Sequence, residues 1–256
     1  MEIVSTAVYV GPNVHAKTPL IRLTVDLHRR ADMPVAEVAD RLLPPLIERL
    51  PGLATARTES GAPLVERLRS DPDARLGEMM AHLALELMNH AGAPAETAFT
   101  RPAAHPDEVE VLYGYESEEV GLEAGDVARA LILELIAPRD QSEGLDLDEA
   151  IEDFVDYASR RALGPTALAL VRAAEARDIP WVRLNEASLI QLGQGKHARR
   201  IEAALTSQTS HIAVEIASDK ELCTRLLSDL GLPTPKQRFV RSPDDAVRAA
   251  ERIGYP

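Results

Sequence analysis

Glu78, His82, Glu86 and His90 follow one another at intervals of four residues. On a helix of about 3.6 residues per turn, that spacing keeps neighbours on one face, drifting about 40° per step. Imidazole nitrogens and carboxylate oxygens in such a row suit a divalent metal, zinc above all. The alternative is a solvated face of Glu–His pairs, each adding roughly a few tenths of a kcal/mol to the helix. A second group lies in QLGQGKHARR, where Gly193 and Gly195 precede Lys196, Arg199 and Arg200. Glycines beside cations invite a phosphate-loop reading. However, the G-x-G has neither the downstream glycine of a dinucleotide fingerprint nor the GK(S/T) of a P-loop, and a tight turn explains it as well. Cys223, with no histidine near it in sequence, reads as a small core residue, and Trp181 reads as packing in a buried strand.

The elements that must position these residues alternate between strand and helix. Ile3–Val10 and Ile21–Leu27 read as strands around a turn at Gly11–Asn13. Val38, Leu42, Leu46 and Leu50 share one face of a helix from Val35 to Leu50, ended by Pro51-Gly52. The metal-type row sits on a third apolar helix, Leu76–Ala91. The stretch Ala93–Pro106, with three prolines, predicts a loop. Val109–Tyr115 reads as a strand and Val120–Ile136 as a long helix. A polar, acidic stretch at Ala137–Glu149 predicts a linker, which divides the chain into domains 1–148 and 149–256. Beyond it come helices at Asp148–Ala162 and Thr166–Arg177, then a strand at Ile179–Leu184. A helix capped by Ser218 and closed by Gly231 follows, then a strand at Arg238–Val240 and a helix at Asp244–Ile253. This pattern predicts an α/β (α+β) chain: a mixed N-terminal sheet with helices, then a smaller α/β unit.

Composition narrows the function classes. The chain has 256 residues, with 28 Lys+Arg against 41 Asp+Glu and a formal charge of −13. At about 150 residues per domain, that length gives one or two domains. The acidic balance argues against nucleic acid and anionic membrane surfaces as partners. No apolar run reaches the roughly 18 residues of a membrane span. The N-terminal MEIVSTAVYVGP has no basic region or cleavage site, so the expected location is cytoplasmic. A single cysteine rules out an internal disulfide and a cysteine-rich metal site.

Two ordered sets of motifs carry a family resemblance. Asp219, Lys220, Arg225, Gly231, Pro233 and Pro235 stand in a D-K-x-x-x-(K/R)…G-x-P-x-P pattern that resembles the entry to the ATP-grasp fold. The helix ending in IGYP (Ile253–Pro256) resembles the one that precedes its ATP-phosphate lysine strand. GPNVH (Gly11–His15), LALEL (Leu83–Leu87), LGPT (Leu163–Thr166), QLGQGKHARRI (Gln191–Ile201) and the TSQTS segment before ASDKE follow in order. Together they resemble the N-terminal part of the cyanophycin synthetases, over essentially the whole chain. The resemblance implies a polymer-holding first domain of about 150 residues, then the opening subdomain of an ATP-grasp ligase. It implies ATP and Mg²⁺ as cofactors of the full-length enzyme, with aspartate, arginine and the aspartate–arginine polymer as substrates, and a homo-oligomer when full length. In it, Thr166 at a helix start grips the carboxylate end of the polymer or caps its helix. Glu215 pairs with a substrate guanidinium or sits at a helix N-terminus, and Gln191, Arg199 and Arg200 edge the substrate channel. Many relatives carry an H-x-x-E-H zinc-hydrolase motif on the third helix. Here Glu78 replaces one ligand and Ala81 replaces the base, so Glu78, His82 and Glu86 form a degenerate version of it. The expectation is a chain that holds polymer without catalysing; the alternatives are a stand-alone binding module and a degenerate zinc-dependent hydrolase.

Overall fold

The computed structural model describes residues 1–28, 31, 33–138, 144–185 and 187–254. Residues 139–143 of the expected linker, and the last two residues of IGYP, lie outside them. The chain divides into two compact units, Met1–Ala162 and Leu163–Pro256.

The first unit is built on β1 (Glu2–Tyr9), β2 (Leu20–Asp26), β3 (Ala98–Pro102) and β4 (Glu108–Gly114). They lie in the order β1-β2-β4-β3, and every pairing is antiparallel. The α/β (α+β) class therefore holds with an antiparallel sheet where the alternation suggested a mixed one. Only β1–β2 and β3–β4 are hairpins; β2 meets β4 antiparallel across the intervening helices and β3. Along β2, Ile21, Leu23 and Val25 point into the main core, while Arg22, Thr24 and Asp26 are only half-buried on the opposite face. The residue Val4 falls in a register shift of β1 and is 55% exposed at the sheet's rim. Met1 itself is buried in the core.

Helices α1 (Ala39–Arg49), α2 (Leu64–Ser70), α3 (Leu76–His90) and α4 (Glu118–Ile136) supply the other side of that core. The helix expected from Val35 opens as a 3₁₀ turn at Val35–Glu37 before α1. The stretch Ala93–Pro106, expected as a loop, contains β3. Its residues Ala98–Pro102 pair with Tyr113–Val109, and Pro102 is tolerated because it closes an edge strand. Helix α4 approaches the sheet through glycine. A Cβ on Gly125 would stand 2.4 Å from Tyr113 Oη and 2.6 Å from Leu23 Cδ1. The Tyr113 hydroxyl donates to the Gly121 carbonyl at 2.9 Å, and burial raises its pKa far above the ordinary phenol value.

Helix α5 (Leu147–Arg161) corrects the expected boundary after residue 148. Ile151, Phe154 and Ala158 are buried in the first unit's core. Arg49 pairs with Asp148 at one end of the helix (2.6 and 2.7 Å), and Arg161 with Glu119 at the other (2.6 Å). The compact first unit thus runs on to Ala162.

The second unit contains α6 (Pro165–Glu175) and a sheet of β5 (Trp181–Arg183), β6 (Leu189–Leu192), β7 (Arg199–Glu202) and β8 (Leu205–Thr206). The order is β5-β6-β7-β8, antiparallel throughout. Ala167, Val171, Ile190 and Ile201 form its small core, with Leu163, Trp181 and Leu192 against it. Trp181 is half-buried, and its indole N–H donates to Glu175 at 2.9 Å. Helices α7 (His211–Ser218), α8 (Lys220–Asp229) and α9 (Pro243–Ile253) follow. The expected strand at Arg238–Val240 does not form. Its side chain Phe239 is 67% exposed, and no neighbouring strand offers it a ladder among the described residues. The cap of α8 is Asp219, which accepts from the N–H groups of Glu221 and Leu222; Ser218 is the last residue of α7. Gly231 stops α8 at φ +76°, a conformation glycine adopts without strain. No helix among the described residues is long and apolar enough to cross a membrane.

Candidate functional site

The four-residue row lies on α3, and each member has a different neighbourhood. Glu78 is engaged by Arg67, whose Nε donates to both its carboxylate oxygens at 2.9 and 3.1 Å. Arg67 also holds Asp71, and these carboxylates raise its own pKa. His82 is 4% exposed, and burial pushes its pKa down to about 4. It belongs neither to a solvated face nor to an open ligand row; it is a neutral ring in the core. Glu86 is half-buried. Burial raises its pKa, while a hydrogen bond from the Gly52 backbone and the nearby His90 oppose that rise. The approach is close enough that a Cβ on Gly52 would push the Glu86 carboxylate aside.

No three His, Cys, Asp or Glu side chains converge as a metal-holding group among the described residues. Glu78, moreover, is neutralised by Arg67, and Ala81, fully buried, can accept no proton. This donor set does not fit a catalytic zinc, and no metal-assisted step follows from it.

In the second unit, β6 and β7 form a hairpin that brings two of the expected substrate residues together. Gln191 and Arg200 are register partners, so they share the face opposite the buried Ile190–Ile201 pair. Arg199 stands across from Leu192 and turns back on its own loop, donating to the Ala198 carbonyl at 2.9 Å. The G-x-G is a tight turn, as the turn reading requires. Gly193 and Gly195 have φ +74° and +54°, and a 3₁₀ turn at Gly195–His197 follows. Thr166 is exposed in the first turn of α6, where Gly164 is the N-cap, so its hydroxyl does not cap that helix. Glu215 lies on α7, exposed, with Oε1 3.4 Å from His211 Nε2. Neither residue makes a hydrogen bond or ion pair with Gln191, Arg199 or Arg200 among the described residues. Cys223 is half-buried on α8. The sequence reading missed Arg67 as the partner of Glu78; its place eleven residues upstream, on a seven-residue helix, carries no periodic signal.

Comparison with known proteins finds similarity along both compact units. Residues 22–137, which span β2 to the end of α4, match the cyanophycin synthase-like N-terminal domain. Across its whole length it is also similar to individual cyanophycin synthetases: 33% identical to that of Trichormus variabilis over 259 residues and 33% to that of Synechocystis sp. over 270. The alignments cover all of this chain and 28% and 29% of those proteins, so the chain spans less than a third of the length of the relatives it matches. A shorter similarity, 46% identity over 48 residues, links 19% of the chain to 4% of a carbamoyl phosphate synthase large chain from Methanothrix thermoacetophila.

Proposed function

We propose that this chain is the polymer-holding part of a cyanophycin synthetase together with the opening of its ATP-grasp ligase domain. The whole protein would use ATP and Mg²⁺ to add aspartate and arginine to the aspartate–arginine polymer. The observation that carries this reading is the similarity to cyanophycin synthetases along the entire chain, in both compact units. The short match to a carbamoyl phosphate synthase supports an ATP-grasp reading. Within the second unit, Thr166, Glu215, Gln191, Arg199 and Arg200 are the proposed substrate contacts. Gln191 and Arg200 form a ready pair on one strand face, and Thr166 is exposed and free of a capping role. In the first unit, the α3 row is structural: an Arg-bound Glu78, a core His82 and a Glu86 held at Gly52 leave no hydrolytic centre to assign.

The purified chain should therefore co-sediment with insoluble aspartate–arginine polymer while incorporating no radiolabelled arginine in the presence of ATP and Mg²⁺. A chain that stays in the supernatant at every polymer concentration would overturn the holding role. Incorporation of label would overturn the assignment of catalysis to residues outside it.

A further inference from the structure

The β6–β7 hairpin concentrates positive charge in a protein whose net charge is −13. Lys196, His197, Arg199 and Arg200 occupy the turn and the start of β7, and all four are exposed. Carboxylates outnumber cations along the chain by 41 to 28, yet none of these four residues forms an ion pair among the described residues. Even Glu202, two positions beyond Arg200 and on the same face of the strand, stays out of range for one.

Arg199 is spent on the loop itself, through the Ala198 carbonyl. Lys196 and Arg200 keep their charges unpaired, and Gln191 adds a neutral amide beside Arg200. Apart from that Arg199 contact, the turn is held in shape by backbone geometry and not by Lys196 or Arg200. Two positive-φ glycines form it, the His197 N–H donates to the Gln194 carbonyl (3.1 Å), and the Gly193 N–H donates to the Pro180 carbonyl (2.7 Å). Like charges gathered on a fixed turn repel one another, and an oxyanion among them relieves that repulsion with charge-assisted hydrogen bonds.

We propose that this hairpin is an anion-recognition loop, in which Lys196 and Arg200, with Gln191 beside them, take a carboxylate or phosphate group. It rests on the substrate role proposed above for the hairpin and specifies the chemistry of that role: the negative end of a ligand, not its guanidinium. Arginine suits a planar two-oxygen anion, and lysine adds a point charge.

The test titrates the full 256-residue chain with two probes at low ionic strength. One is an oligoaspartate carrying a neutral fluorophore, read by anisotropy; the other is ATP without metal, read by calorimetry. The double variant Lys196→Gln/Arg200→Gln should weaken the probe that binds by about tenfold, as expected for the loss of charge-assisted contacts. Arg200→Lys should fall between the two. Arg252→Gln, which removes an exposed cation from α9, should leave affinity unchanged. Loss of oligoaspartate binding alone identifies a carboxylate site, and loss of ATP binding alone a phosphate site. The proposal fails if neither probe binds the wild-type chain, if the double variant binds as the wild type does, or if Arg252→Gln costs as much. Polymer co-sedimentation of the same proteins separates this proposal from the function above. A chain that sediments with polymer but ignores both probes removes the anion loop alone. A chain that binds a probe through the hairpin but never sediments removes the polymer-holding role alone.

Discussion

At the scale of single residues, the histidine that a spacing argument offers to a metal is a core side chain with a pH signature. His82 is neutral in the folded chain because burial lowers its pKa to about 4 from the ordinary 6.5. Once unfolded, the ring takes up a proton as pH falls through 6.5, so the unfolded state binds more protons between those two values. Stability is therefore fully present above pH 6.5 and drains as pH drops toward 4. The ceiling on this loss is on the order of 3 kcal/mol, with about 2 kcal/mol gone by pH 5. The substitution His82→Leu removes the titration. Urea midpoints measured at pH 7 and pH 5 should separate strongly for the wild type and less for the variant. Equal separation in both proteins would show that other groups set the acid sensitivity. The four-residue spacing was legible, but the neighbours that decide its chemistry were not. Arg67 and Gly52 reach α3 from other elements, and no local pattern announces them.

At the scale of elements, amphipathic patterning was enough for α3, α4, α5 and β2, where periodic segments coincide with buried faces. It failed where a partner decides. Strand β3 exists because β4 offers it a ladder, despite flanking prolines. Arg238–Val240 has strand-type residues and no ladder. Helix α2 has seven residues, too few for a periodicity to emerge. At α8 the true cap was the neighbour of the residue chosen, since Ser218 and Asp219 are both good caps and only the fold selects between them. The close seat of α4 on the sheet yields a prediction of its own. Gly125→Ala would gain up to about 1 kcal/mol of helix propensity. The added methyl, however, meets Tyr113 Oη and Leu23 Cδ1 inside van der Waals contact. Overpacking of about 1–3 kcal/mol should win, and thermal unfolding should show a lower Tm. A raised Tm would mean that α4 can ride outward at no cost.

At the scale of the whole chain, the acidic linker put a division after residue 148, whereas the compact units divide after Ala162. Charge and proline content mark where a chain can be exposed; they do not mark which core a following helix joins. Helix α5 begins inside that acidic stretch and buries Ile151, Phe154 and Ala158 in the first unit. A fragment of residues 1–162 should therefore unfold cooperatively, whereas one of residues 1–148 should lose several kcal/mol, the cost of uncovering those three side chains. Chemical denaturation of the two fragments checks this, and equal stability would return the boundary to the linker.

The buried start of the chain has a practical consequence for anyone preparing it. Met1 occupies a place in the packed interior beside β1, so a purification handle fused ahead of it must leave from an enclosed position and compete with the side chain that fills it.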